Sequence, residues 1–251
     1  MSNSPAMSTD LSADERSEDL LCALSLFQLT DSAFPTGRYT HSYGLEAYAR
    51  CHLIDSLPSS RLVALLTDTV RLGVGPSDGV ALACAHRAVR ADSTCDLHVV
   101  GRADRRLSAV KVASEARHAS IQVGRNLLAR AQDVFRDVDL SDLAHLVDGG
   151  ESPGNQAVIS GVLSAKLGVR RLEAIAAVLF AFSASWVAAA VRLGLTDHRI
   201  GQRILHRALP MIDESARQAM SGDVEDIWGC TPLLDVMSMR HERAELRLFA
   251  S

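Results

Sequence analysis

The stretch from Ala174 to Val191 constrains the fold more than any other part of the chain, because it contains no charged residue. It reads AIAAVLFAFSASWVAAAV, and its length is close to that of a helix that spans a bilayer. Its apolar character is mild, however, since about half of its residues are alanine and Ser183 and Ser185 stand near the middle. A helix that is apolar all round must be buried, so we predict the central helix of a soluble bundle, with a membrane-associated helix as the alternative.

The composition points to a helical protein. Hydrophobic residues make up 47% of the 251 residues, whereas aromatic residues make up only 4%. The core must therefore be aliphatic and rich in alanine, which favours helices over sheets. We predict an all-α fold, a single-domain bundle of about ten helices over residues 19–251, preceded by a disordered polar tail over residues 1–18.

Helix start and stop signals set the predicted boundaries. Helices are expected at 19–29, 59–72, 76–91, 155–167, 170–194 and 197–220, with two more between 94 and 135 and a last one opening at Thr231-Pro232. Pro210 is expected to interrupt or kink the helix over 197–220. The loop VDGGESPGN, residues 147–155, is the only strong linker candidate.

Charge and cysteine content exclude several classes of function. The net charge of −4 and the isoelectric point near 6.1 give no reason to expect nucleic-acid binding. The five cysteines are scattered without a CxxC pair, so we predict reduced thiols rather than a disulfide framework or a zinc site. The amino terminus has no hydrophobic signal core, and we expect a cytoplasmic protein that does not bind a membrane.

The motifs of common enzyme classes are missing or incomplete. No GxxxxGK[ST] pattern is present, so we predict no P-loop nucleotide site. The segment HERAE resembles a zinc-protease motif, but Glu245 stands where the second histidine is required. A hydrolase that uses His41 and Ser42 is an alternative, although adjacent helical residues point about 100° apart. We predict no catalytic residue, no metal site and no cofactor bound by this chain.

The stretch FPTGRYTHSYGLE, residues 34–46, has the pattern of a shaped turn followed by a helix. Pro35 fixes its own φ angle, and Gly37 supplies a turn. Gly44 removes side-chain bulk, so another backbone can come close to this position. Glu46 and Arg50 lie on the opposite face at i,i+4 and are expected to form an exposed pair. Such a pair would not need the turn in front of it, so we predict that the turn presents a surface.

The carboxyl end is unusually apolar for a chain terminus. Leu246, Leu248 and Phe249 lie within the last six residues. Apolar side chains at this place must dock, either on the protein's own bundle or on another chain. The sequence leaves both possibilities open.

Three segments of the chain resemble one family. LFQLTDSAFPTGRYTHSYGLE resembles the amino-terminal signature of urease accessory protein F, L-x-Q-L-x-D-S-x-x-P-x-G-G-[FY]-[ST]-H-S-x-G-L-E. TPLLDVMSMRHERAELRLFAS is similar to the family's ending, and EARHASIQVGRNLL, from Glu115, is similar to its middle segment E-x-R-x-A-S-x-Q-x-G-R-x-L-L. The segments occur in order and frame residues 20–251. Arg38 stands where the family usually has its second glycine.

The resemblance implies an accessory factor for urease maturation that is not itself an enzyme. Family members are all-helical and form dimers. They bridge accessory protein D, called H in some organisms, and the nickel-carrying GTPase, accessory protein G. The resulting GTP-dependent chaperone inserts nickel into apo-urease, and the family has been likened to a GTPase-activating protein or a gatekeeper. Nickel and GTP would then be handled by the complex.

The resemblance also implies two partner-binding regions, transferred by position. The first surface comprises Asp31, Ser32, Pro35, Gly37, His41, Ser42, Gly44 and Glu46. The tail element, which binds a partner or docks on the bundle, comprises His241, Glu242, Arg247, Leu248 and Phe249.

Overall fold

A computed structural model describes residues 13–38, 43–50 and 58–241. These residues form helices and connecting turns, with no strand within the described ranges, so the predicted all-α class is confirmed. The helices are α1 (Ala13–Thr30), α2 (Leu45–Arg50), α3 (Ser59–Thr69), α4 (Val80–Arg87), α5 (Leu97–Val110), α6 (Ser114–Val134), α7 (Ser141–Asp148), α8 (Gln156–Lys166), α9 (Arg171–Arg192), α10 (His198–Met220) and α11 (Pro232–His241). Helix α1 begins earlier than predicted, and α7 was not predicted.

The core is built around α9, as the uncharged stretch predicted. Trp186, Leu179 and Ile175 on this helix are fully buried, and α10 packs along it. Helix α9 is the single helix of the described residues that is long and apolar enough to cross a membrane, and 56% of its most apolar window is buried inside the protein. Burial by the neighbouring helices therefore covers more than half of this apolar stretch, as is typical of the core helix of a bundle.

Helix α3 does not end at GVGP as predicted. It continues into α4 through a π-helical segment, Val70–Gly79, that contains Pro76. A neighbouring stretch of chain completes the hydrogen bonding, because the Trp228 amide donates to the Pro76 carbonyl at 3.3 Å and the Cys230 amide donates to the Leu72 carbonyl at 2.7 Å. The predicted break is wrong because tertiary contacts satisfy carbonyls that an isolated helix would leave open.

Helix α10 also runs through Pro210 as one continuous helix. Pro210 lies on the exposed side of the helix, where water can reach the carbonyl that the proline leaves without a donor. The buried side holds apolar residues such as Ile204 and Met211 against the bundle. The predicted interruption is therefore wrong, and packing keeps the helix continuous.

The predicted linker at residues 147–155 is a turn pinned to α5. Asp104 is fully buried, and its Oδ2 accepts hydrogen bonds from the Gly154 amide at 2.6 Å and from the Ser152 hydroxyl. Its Oδ1 accepts from the Asn155 amide at 3.0 Å and from Asn155 Nδ2 at 2.7 Å. A carboxylate with this many donors holds the turn in place, so the glycines and the proline do not make a flexible linker here.

Candidate functional site

The three motif segments, far apart in sequence, line one cavity of about 200 Å³. Helix α9, the π-helical segment, the end of α5 with the turn that follows it, and the start of α8 supply most of the remaining wall. The first motif contributes Arg38, Tyr43 and Gly44, the middle motif contributes Glu115, Ala116, Ala119, Ser120 and Val123, and the ending contributes Thr231, Leu234, Asp235 and Ser238. The place where these segments meet is the candidate site.

The turn that opens the first motif is locally determined. Asp31 Oδ1 accepts a hydrogen bond from the Ala33 amide at 2.7 Å, and the Asp31 carbonyl accepts from the Phe34 amide at 3.2 Å. Phe34 is buried, whereas Pro35 beside it is exposed. Gly37 has φ +84°, a left-handed conformation that glycine adopts without steric cost. These contacts make the predicted turn.

Arg38, the departure from the family pattern, ties this turn to the end of α1. Its guanidinium donates to the Thr30 carbonyl at 2.9 Å and more weakly to the Asp31 carbonyl at 3.4 Å. Burial lowers the pKa of Arg38, while the nearby Tyr43 and Asp31 act in the opposite direction. A cation at the carboxyl end of a helix satisfies carbonyls that have no intrahelical donor, so arginine has a structural role here.

Tyr43 anchors the other side of the turn to α9 and was absent from the candidate residues. Its ring packs edge-on against Phe182 with centroids 4.8 Å apart, and its hydroxyl forms a hydrogen bond with Ser185. Burial raises the pKa of Tyr43 to about 12, so the hydroxyl remains protonated at neutral pH. The residue falls at an unspecified position of the family signature, which is why motif reasoning missed it.

Gly44 is the contact point between the first motif and the carboxyl-terminal helix. It is buried with φ +79°, and a Cβ placed there would lie 3.2 Å from the Leu234 carbonyl oxygen and 3.1 Å from Ser238 Oγ. The expected close approach of a second backbone is present. The approaching backbone is α11 of the same chain.

Helices α2 and α11 share a small hydrophobic cluster of their own. Ala47 and Tyr48 on α2 pack with Leu234 and Met237 on α11, apart from the main core. The part of the ending that the structure describes therefore docks on the protein's own bundle. His241 is the last residue of α11, while Glu242, Arg247, Leu248 and Phe249 lie outside the described residues, as do His41 and Ser42.

Glu46 does not lie on an exposed surface as expected. Only 1% of the residue is accessible to solvent, and the neighbouring Leu45 is fully buried. The expectation was wrong because α11 and the bundle cover both sides of the short helix α2, which local periodicity cannot reveal. The first surface is thus divided: Asp31, Ser32, Pro35 and Gly37 are exposed, whereas Gly44 and Glu46 are buried.

The middle motif holds the turns in place. A Cβ on Gly124 would overlap the Gly154 carbonyl oxygen, so only glycine lets α6 pass this close to the turn after α7. Arg125 Nε donates to the Pro153 carbonyl at 3.0 Å. Asn126 Nδ2 donates to the Thr36 carbonyl at 3.1 Å, which joins the middle motif to the first one.

The polar part of the cavity wall consists of an ion pair and a partly buried carboxyl group. Lys111 Nζ lies 2.7 Å from Asp78 Oδ2, with side chains only 18% and 13% exposed. Burial raises the pKa of Asp235, while hydrogen bonds from Thr231 and the charge of Lys111 act in the opposite direction. Sequence reasoning did not select these residues, and the one available signal was that Lys111 is one of two lysines among 26 basic residues.

The arrangement is suited to packing and recognition. Among the described residues, no group of three histidine, cysteine, aspartate or glutamate side chains is placed to hold a metal ion. The surface of the wall is mostly apolar, with Val74, Val110 and Val178 beside the polar groups. The convergence of the motifs fixes the relative positions of α2, α6 and α11.

Comparison with known proteins assigns the chain to a family. The sequence model of the UreF family matches residues 59–209. A urease accessory protein UreF from Trichodesmium erythraeum (strain IMS101) is 33% identical over 233 residues, which cover 93% of this chain and 98% of that protein. The chain belongs to the UreF family. Another UreF, from Paenarthrobacter aurescens (strain TC1), is 35% identical over 230 residues, 91% of this chain and 97% of that protein.

UreF membership confirms the resemblance carried by the three motifs. It implies a role in urease maturation as an accessory protein. The UreF family match over residues 59–209 covers α3 to α9 and the first half of α10, between the two terminal motifs. The similarity to the two individual UreF proteins extends beyond that region and covers 91–93% of this chain.

Proposed function

We propose that this chain is a cytoplasmic, non-catalytic adaptor that bridges accessory protein D (H) and the nickel GTPase accessory protein G during nickel insertion into apo-urease. The observation that carries the proposal is the convergence of the three family segments on one site. In this role the chain binds neither metal nor cofactor itself. It acts on the GTPase as a gatekeeper or as a GTPase-activating subunit, while the complex handles nickel and GTP.

The carboxyl-terminal helix has an outer face that suits a partner. The inner face of α11 packs on α2, but Leu233 and Val236 are 51% and 46% exposed. Trp228, just before the helix, is 46% exposed. Apolar side chains on a protein surface are typical of interaction sites. We propose that accessory protein D binds this face together with the tail element. The exposed turn residues from Asp31 to Gly37 contribute to the same adaptor function.

A second exposed apolar face supports the dimer that the family implies. Leu20, Leu21, Leu24 and Phe27 of α1 are between 51% and 67% exposed. Helix α1 packs on α9, where Phe180 is also exposed, at 41%. The four α1 side chains form an apolar stripe along one side of the helix. A second copy of the chain would cover this stripe in a dimer.

The test is reconstitution from purified components. The chain, accessory protein D and accessory protein G are mixed with GTP and analysed by size-exclusion chromatography with light scattering. We expect a complex that contains all three proteins and activates apo-urease with nickel, and a dimer for the chain alone. Activation that proceeds equally well without the chain would refute the proposal. Replacing Leu24 and Phe27 with serine should abolish the dimer, whereas the same change at exposed Val134 serves as the control.

A further inference from the structure

Helix α10 displays basic side chains along the exposed face of its amino-terminal half. Arg199, Arg203, His206 and Arg207 are all exposed. Their spacing of three or four residues places them on one side of the helix. Leu209 is 40% exposed and Pro210 is exposed next to them, so an apolar spot adjoins the charges.

This arrangement is unfavourable for the helix itself. The amino-terminal end of a helix carries partial positive charge, so a cation such as Arg199 in the first turn is repelled, and α10 has no acidic residue in that turn. Like charges four residues apart, as in Arg199 with Arg203 and Arg203 with Arg207, also repel each other. A local conflict of this kind, without a structural gain, points to a functional constraint.

The carboxyl-terminal half of the same helix lacks this conflict. Arg217 lies 3.0 Å from Asp213, and Glu214 pairs with Arg71. In the amino-terminal half, none of the basic groups has a carboxylate within ion-pair distance among the residues that the structure describes.

The basic face is held on a rigid support. A Cβ on Gly201 would lie 3.0 Å from Val187 Cγ1, so α10 rests close against α9 at this point. The carboxylate of Asp197 accepts a hydrogen bond from the Ile200 amide at 2.7 Å and caps the helix. The side chains therefore project from a fixed backbone, which favours recognition of a surface with matching charge.

We propose that the exposed face of α10 from Arg199 to Pro210 docks an acidic protein surface on a urease maturation partner. The proposal rests on the proposed function for the identity of the partners to be tested. A protein surface fits better than a nucleic acid or an anionic membrane, because the patch is small, borders on apolar Leu209 and Pro210, and belongs to a chain with a net charge of −4.

The experiment compares two double variants of the full chain with equal changes in charge. Arg199→Glu with Arg203→Glu alters the basic face. Arg130→Glu with Arg136→Glu alters exposed arginines near the end of α6 and in the turn that follows it. Binding to purified accessory protein D, accessory protein G and apo-urease is measured by surface plasmon resonance over a salt series.

We expect wild type to bind one of the three partners with an association rate that falls as salt increases. The α10 variant should lower that association rate by about tenfold or more at low salt, and the α6 variant should remain close to wild type. The α10 variant should melt at or above the wild-type temperature, because glutamate in the first turn agrees with the helix dipole and the carboxylate introduced by Arg203→Glu can pair with Arg207.

Four results would overturn the proposal. Unchanged binding of the α10 variant to every partner refutes it and leaves the adaptor function intact. A lower melting temperature together with weaker binding shows a structural role for these arginines. Wild-type binding to anionic lipid vesicles or RNA that the α10 variant loses assigns the face to a polyanion instead. No binding of wild type to any of the three proteins refutes both this inference and the adaptor function.

Discussion

Replacement of Gly44 by alanine should loosen the carboxyl-terminal helix from the bundle. Two separate costs apply at this position. The φ angle of +79° costs a residue with a Cβ roughly 1–2 kcal/mol. The new Cβ would also lie 3.2 Å from the Leu234 carbonyl oxygen, a backbone atom that moves only if α11 moves. Overpacking of this kind costs roughly 1–3 kcal/mol.

Gly37 provides a matched control for the first cost alone. It has φ +84°, but the nearest atom to a Cβ there would be Asn126 Nδ2 at 3.9 Å, an ordinary van der Waals contact. Gly37→Ala should therefore destabilise by about 1–2 kcal/mol. Gly44→Ala should destabilise by about 2–5 kcal/mol in total. The difference between the two variants measures the docking of α11.

The assay is hydrogen exchange combined with thermal unfolding. Because α2 and α11 share a small cluster apart from the main core, the steric cost should appear first as faster amide exchange in Pro232–His241. A protein of this size loses about 2–4 °C in Tm for each kcal/mol of global destabilisation. Equal stability and equal exchange in α11 for the two variants would refute the account of Gly44 as a contact point.

Three further predictions concern the same region. Glu46→Ala should lower the free energy of unfolding by about 1–3 kcal/mol, because its carboxyl group is buried, and urea unfolding that stays within error of wild type would contradict this. Asp235→Asn should be as stable as wild type or more stable at neutral pH, because burial favours the protonated form of Asp235 and raises its pKa. The difference in stability should vanish as the pH falls below this raised pKa and towards the ordinary pKa of an aspartate, and thermal melts over a pH series check the sign. Deletion of Arg247 to Ser251 should abolish binding to accessory protein D in a pull-down while the Tm stays near that of wild type. Arg247→Lys should also impair binding, because lysine cannot form the bidentate hydrogen bonds of a guanidinium group. A much lower Tm of the truncated protein would instead indicate that the tail docks on the bundle.

The long helices and the fold class were predictable because their signals are local. The uncharged stretch over α9 and the Thr231-Pro232 start of α11 each depend on a few adjacent residues. The continuous path from α3 to α4 was not predictable, because the donors that satisfy it come from Trp228 and Cys230, about 150 residues further along the chain.

The candidate site was predictable in its location but not in its exposure. The motifs marked Gly44 as a place of close approach, and the structure puts a backbone there. The burial of Glu46 depends on α11, which packs from the other end of the sequence. The ion pair of Lys111 with Asp78 joins two residues outside the motifs, and only the folded chain brings them together.

The π-helical segment has a consequence for insertions and deletions in this lineage. Its hydrogen bonds span one residue more than those of an α-helix, so each π-helical turn holds more residues than a regular α-helical turn. Loss of one residue between Val70 and Gly79 would rotate the preceding or following helix by about 100°. Asp78 would then turn away from Lys111, and the carbonyls that meet Trp228 and Cys230 would lose their register. Relatives that keep the contacts of Trp228 and Cys230 with this segment should therefore also keep its residue count, even where its sequence changes.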